Sequence, residues 1–247
     1  SGDSWTNAFS LLANAVSSLP DPLTDDYTIE CRASSGTADT TAVTLDLNTT
    51  ADYTLTIKPA STDEHSGTWD TSAYRLEGSA STILTIDGGF GTVNNYSIEG
   101  LQIRLSSQTA NYQGPINIGA YRDGTVKFDG CLIRGANNTS YRARLITVIP
   151  DNRFTPETIF VNNIIYDVQS TPTHAASSVF YTNTTACPGP LYFYNNTIIG
   201  GAYLFYVAFG DFSDFNAINN IVTAAEGTGL SGDTLGSTDY NMFEGAF

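Results

Sequence analysis

Five copies of one short pattern divide the second half of the chain: IEGLQIR (98–104), FDGCLIR (128–134), VNNIIYD (161–167), YNNTIIG (194–200) and INNIVTA (218–224). The steps between copies are 30, 33, 33 and 24 residues. In each copy an apolar residue is followed by two acidic, Asn or Gly positions and then by a mostly apolar triplet. Gly and Asn tolerate left-handed backbone better than other residues. A turn of that kind, returning every 24–33 residues, belongs to a chain that stacks copies of one supersecondary unit. A sandwich has no reason to repeat the same turn chemistry at such a period. The alignment predicts a column of Gly100, Gly130, Asn163, Asn196 and Asn220, with Glu99, Asp129, Asn162, Asn195 and Asn219 beside it. Asn amides in such a column hydrogen-bond to one another at the strand spacing of about 4.8 Å.

The first half carries short alternating runs bounded by turn residues: YTIEC (27–31), TAVTLDL (41–47), YTLTIKP (53–59), YRLEG (74–78) and STILTID (81–87). Each reads as a strand. Residues 5–19 differ, because Trp5, Ala8, Phe9, Leu12, Ala15, Val16 and Leu19 follow helical spacing. Ser4 is placed to cap that helix, and Pro20 and Pro22 to end it. The expected organisation is a capping helix and linker over 1–26 and a β-domain over 27–247. A stack of repeats exposes core and strand edges at its ends. Trp5, Phe9, Leu12 and Val16 are therefore expected to cover the first end. Residues 203–212 and the tail from Tyr240 to Phe247 are expected at the other.

The paired Asn pattern resembles the asparagine-ladder coils of right-handed parallel β-helix proteins, the architecture of pectate lyases and phage tailspikes. Runs such as YTLTIKPAS, DEHSGTWDTSAYRLEG and YSIEGLQI, with STDYNMF (237–243), resemble a group of β-helix proteins of tailed phages and environmental bacteria. The resemblance implies an all-β fold, a right-handed single-stranded parallel β-helix or solenoid with a short N-terminal capping helix. Fold does not fix function.

Charge narrows the functional classes. The 25 acidic and 10 basic residues give a net charge of −15, so nucleic acid is excluded as a partner on electrostatic grounds. No apolar run is long enough for a helical membrane span. Cys31, Cys131 and Cys187 are odd in number and match no zinc spacing. Neither a metal nor a cofactor is expected. The most singular loop, TDEHSGTWD (62–70), combines Asp63, Glu64, His65, Trp69 and Asp70, and Trp69 is suited to stack on a sugar. The best local basic patch is Arg142, Arg144 and Arg153, suited to an acidic group. Arg104, Arg134 and Asp167 occupy one repeat position and read as a surface charge ladder.

Lyases of this architecture use Arg or Lys as base with Ca²⁺ on the substrate carboxylate. This chain has two lysines, Lys58 and Lys127, and no evident Asp column. Glycosidases need two spaced carboxylates. The candidates Asp63, Glu64, Asp70, Asp123, Asp151, Glu157, Asp211 and Asp214 are scattered over loops. The sequence thus favours a non-enzymatic structural or adhesive protein, extracellular or on a virion surface. Its expected partners are other virion or cell-surface proteins, surface polysaccharide, and further copies of itself. A polysaccharide lyase or glycoside hydrolase is the alternative, and a filament subunit the second alternative.

Overall fold

The computed structural model describes residues 8–244, apart from 34, 49–52, 80, 88–91, 94, 120–121, 137–140, 142, 149–156, 169–177, 183–189, 201–202, 208–211, 224–229, 232–234 and 240–241. At 92–93, 122–123, 168, 182, 203–207, 212–215 and beyond 229, the description is of backbone alone. The protein is all-β with almost no helix. Its strands form three main parallel sheets of eight, seven and seven strands, and a small pair joins Thr92–Val93 to Arg122–Asp123.

The first sheet contains Tyr27–Cys31, Thr54–Pro59, Asn95–Glu99, Thr125–Asp129, Glu157–Val161, Leu191–Tyr194, Phe212–Ile218 and Leu235–Asp239. The second runs from Arg75–Ser79 through Gln102–Ser107, Leu132–Arg134, Ile164–Val168, Thr197–Gly200 and Ile221–Thr223 to Met242–Glu244. The third runs from Val43–Leu45 through Leu84–Ile86, Ile116–Ile118, Arg144–Val148, Ser178–Thr182 and Tyr203–Val207 to Leu230–Ser231. From Thr54 onward the chain visits the first, second and third sheets in turn, and each visit adds a strand beside the previous one. One such pass is called a circuit below.

Alternation decides what lies inside. In Thr54–Pro59 every second residue is buried, and the same holds for Asn95–Glu99 and Thr125–Asp129. Inward residues of all three sheets merge into one apolar cluster. Register partners stack directly. Phe128, Phe160 and Phe193 lie in one column with ring centroids 4.7 and 5.1 Å apart, and Phe180 of the third sheet meets Phe160 edge-on at 4.9 Å.

The turn from first to second sheet contains the Asn and Gly residues, and the register differs from the sequence alignment. Asp129 pairs with Val161, and Leu132 with Ile164. Gly130 therefore lies opposite Asn162, not Asn163. The left-handed positions are Gly100, Gly130, Asn162, Asn195 and Asn219, with φ between 55° and 63°. The buried ladder is the next column: Asn163, Asn196 and Asn220. Gly100 and Gly130 are thus corrected out of it, since glycine has no amide to contribute.

Asn163 and Asn196 each bond neighbours on both sides. Asn163 Nδ2 donates to Phe128 O (3.1 Å), and Asn196 Oδ1 accepts from both Asn163 N and Asn163 Nδ2 (3.0 Å each). Asn196 and Asn220 repeat the arrangement. Cys131 ends the row. Its N–H donates to Asn163 Oδ1 (2.8 Å), and its thiol donates to the Ile98 carbonyl (3.3 Å), as the ladder amides do to theirs.

The helix is shorter than the periodicity predicts, spanning Leu12–Ser17. Leu12 and Val16 are buried, but Phe9 is 41% exposed, which corrects its assignment to the core. Trp5 and Ser4 lie outside the described residues. Leu11, at the N-cap position, makes no side-chain bond. Asp39 takes that role from a distant part of the chain, its carboxylate accepting from Leu12 N (2.9 Å), Tyr74 Oη (3.2 Å) and Thr41 N (3.1 Å). Leu12 and Val16 together contribute on the order of 3–6 kcal/mol of gross transfer energy. Asp39→Ala should lower stability by about 2 kcal/mol in equilibrium denaturation, since it removes a buried acceptor shared by the helix-end amide and the Tyr74 hydroxyl. An unchanged midpoint would show that Asp39 does not fasten the helix.

Candidate functional site

In the later circuits a two-residue turn leads from the first sheet to the second. Between Pro59 and Arg75 a long loop stands in its place, and it contains the segment singled out in the sequence. It lies across neighbouring circuits as a strap. Asp63 Oδ2 accepts from Ala33 N (2.7 Å), tying it to the start of the first sheet. Asp70 and Gln102 exchange two bonds: Asp70 N donates to Gln102 Oε1 (2.7 Å), and Gln102 Nε2 to Asp70 O (2.8 Å). Gln102 points outward from its strand yet is fully buried beneath the strap. Gly67, at φ +89°, sits so close to Ile164 that a Cβ there would lie 3.5 Å from its Cδ1. Asp70 also accepts from Ser72 N and Oγ (2.7 and 2.6 Å). Those bonds, led by the hydroxyl, hold its carboxyl below the usual range.

Trp69 joins this strap to two arginines. The guanidinium carbons of Arg104 and Arg134 lie 5.1 and 5.8 Å from its ring centroid, and Arg134 also lies 5.4 Å from that of Tyr166. Arg104 and Arg134 are register partners, so their charges would repel if left alone. Glu77 pairs with Arg104 and with Arg75, and Asp167 pairs with Arg134 at 2.7 Å. Asp167 is not in the arginine column, however. Tyr166 is opposite Arg134, and Asp167 occupies a bulge at φ +56°. The expected charge ladder becomes an alternation of cations, carboxylates and π-faces. Each partly exposed cation–π contact adds about 0.5–1 kcal/mol.

His65 anchors the tip of the strap. Gly67 N donates to its Nδ1 at 3.1 Å, and its Nε2 is shielded from solvent beside the Gly130 backbone. The accepting Nδ1 assigns the ring hydrogen to Nε2, which lies beside the Gly130 backbone without completing a hydrogen bond. Burial lowers the His65 pKa from 6.5, against the opposing pull of Gly130 and Glu64. Beside the ring lies a shallow depression lined by Lys58, Pro59, Glu64, His65, Glu99, Gly100 and Gly130.

The basic patch is only partly described. Arg142 and Arg153 lie outside the described residues. Arg144 belongs to the third sheet, with its guanidinium carbon 3.7 Å from the Tyr112 ring centroid and 3.1 Å from that of Tyr181. The structure therefore places Arg144 on a different sheet from the strap with Trp69 and His65. Of the carboxylates, Asp63 and Asp70 serve as hydrogen-bond acceptors within the strap. Glu157 accepts from Thr125 Oγ1 at 3.2 Å. The side chains of Asp123, Asp151, Asp211 and Asp214 lie outside the description. Burial pushes the Cys31 and Cys131 thiols up to about 12, so both are inert as nucleophiles near neutral pH.

No helix among the described residues is long and apolar enough to cross a membrane. No family model, curated protein or solved structure matches this chain.

Proposed function

We propose that the three parallel sheets wrap into a right-handed solenoid serving as a non-enzymatic structural or adhesive protein outside the cell. Within that class we favour a component of a tailed-phage virion: a head decoration, tail fibre or tailspike domain. The virion assignment rests on the resemblance of the strand and strap sequences. The non-enzymatic reading is carried by one observation, the engagement of outward cations among the described residues. Lys58 pairs with Glu30 at 3.6 Å, Lys127 with Asp129 at 2.7 Å, Arg104 with Glu77 and Arg134 with Asp167, while Arg144 is held between two tyrosine rings. A lyase base needs a group free to take a proton beside the substrate. Here those groups are engaged, and all but Lys127, which pairs within its own strand, brace one circuit against the next. Parallel in-line pairing from circuit to circuit and a shared Asn row support a rigid spacer that presents its faces to other virion proteins or to surface polysaccharide.

Three measurements test this reading. Small-angle scattering should give an elongated particle, and a compact profile would overturn the solenoid. Antibody labelling should place the chain on purified phage particles, and its absence from them would overturn the virion assignment. Incubation with acidic and neutral polysaccharides, with and without Ca²⁺, should give retention without new reducing ends or unsaturated products. Cleavage abolished by Glu64→Gln or Arg144→Ala would establish an enzyme instead.

A further inference from the structure

We propose that the strap over residues 60–73 is an acid-released latch, its tip held in shape by His65 beside the Gly130 corner and covering apolar side chains on the second sheet. This goes beyond the scaffold reading and does not depend on it.

The placement of those side chains follows from register. Ile133, Ile165, Ile198 and Val222 are all buried toward the core. Their chain neighbours Leu132, Ile164, Thr197 and Ile221 form the adjacent, outward column. Where the strap crosses, this face is hidden: Leu132 and Gln102 are fully buried, and Gly67 lies against Ile164. Beyond the strap the face opens, with Ile221 41% and Ile199 49% exposed. Lifting the strap would uncover Leu132 and Ile164, which Thr197 links to Ile221 in the same column, with Ile199 in the next; soluble proteins keep such enlarged apolar surface covered or use it for binding.

His65 is the titratable pin. With Nδ1 accepting from Gly67 N–H, the closed turn needs a neutral ring. A proton on Nδ1 removes that acceptor and sets two donors against each other. The charged groups around the ring are Glu64 on the strap, Lys58 on the first-sheet strand leading into it, and Glu99 on the next strand. Glu64 and the Gly130 carbonyl favour the cation, but burial outweighs them and lowers the pKa from 6.5. The open strap, with a solvated ring, binds the proton more readily than the closed one. Closure is therefore fully favourable above about 6.5 and weakens as pH falls from there toward the depressed value. The other ties, Asp70 with Gln102 and Asp63 with Ala33, keep the strap attached at its flanks. Opening is thereby confined to the segment around His65 and Gly67, between Asp63 and the Trp69 ring that stacks with Arg104 and Arg134.

Hydrogen exchange of the full chain, read on the peptide covering 60–73 at about pH 7.5 and about pH 5, tests this. After correction for intrinsic rates, wild-type strap amides should open severalfold more often in acid, with a parallel rise in binding of a hydrophobic dye. His65→Asn keeps an acceptor for the amide two residues on but does not titrate. It should stay closed at both pH values, whereas His65→Ala should be open at both. Equal wild-type protection at the two pH values overturns the latch. So does an acid response that survives in His65→Asn, or a strap still protected in His65→Ala.

Discussion

Phe160→Ala should lower the unfolding free energy by about 3–5 kcal/mol. The ring is fully buried, stacked nearly parallel between Phe128 and Phe193, with Phe180 edge-on from another sheet. Alanine removes transfer energy and leaves a cavity whose walls cannot close. The neighbouring rings are fixed by strands that pair with Glu157–Val161 on both sides. Loss of two offset stacks and one edge contact adds about 0.5–1.5 kcal/mol for each aromatic pair, already contained within the range above. Phe160→Leu keeps most of the volume and should cost about 1 kcal/mol. Urea denaturation should show a lower midpoint with unchanged slope, since the folded surface is the same. A cost under about 1 kcal/mol for alanine would mean that the site collapses around the gap, and that the column is looser than its spacing indicates.

Much of the sheet arrangement was legible because the left-handed turn makes a chemical demand that leaves few residue choices. Gly or Asn recurring once per circuit sets the period, and alternation sets which side chains point inward. The ladder was misaligned by one residue for a specific reason. In VNNIIYD the two asparagines do different jobs, the first taking the left-handed turn, with its exposed amide on Asp129, and the second placing its amide in the buried row. Glycine can do only the first, so Gly100 and Gly130 belong with Asn162. That physical constraint was available in the sequence. Cys131 could not have been found by the same argument, because a thiol replacing an amide is visible only through its bond to Ile98 O.

The helix was overextended because amphipathic spacing shows a compatible face but not where a distant carboxylate will cap it. Asp39 fixes that start at Leu12. The strap stood out by composition, but its path did not. Trp69 meets Arg104 and Arg134 only because stacking brings those separated strands under one loop. His65 looked like a surface residue, and its Nε2 is shielded only because the strap folds over the Gly130 corner.

Asn196→Ala should cost about 3–5 kcal/mol, more than an isolated hydrogen bond is worth, because four bonds converge on one buried amide. Its Oδ1 accepts from Asn163 N and Asn163 Nδ2, and its Nδ2 donates to Phe160 O and Asn220 Oδ1, all between 2.9 and 3.0 Å. Backbone strain plays no part, since the left-handed residue is the preceding Asn195 at φ +55°. Alanine leaves the Asn163 amide and the Phe160 carbonyl without these partners in a site that is 1% exposed. The damage also reaches both neighbouring circuits, since each amide in the row orients the next. Asn195→Gly should be nearly neutral, since glycine adopts the same turn and Asn195 is exposed. Equal costs at 195 and 196 would mean that the row acts through its backbone alone, and a neutral Asn196→Ala would remove the ladder as a source of stability.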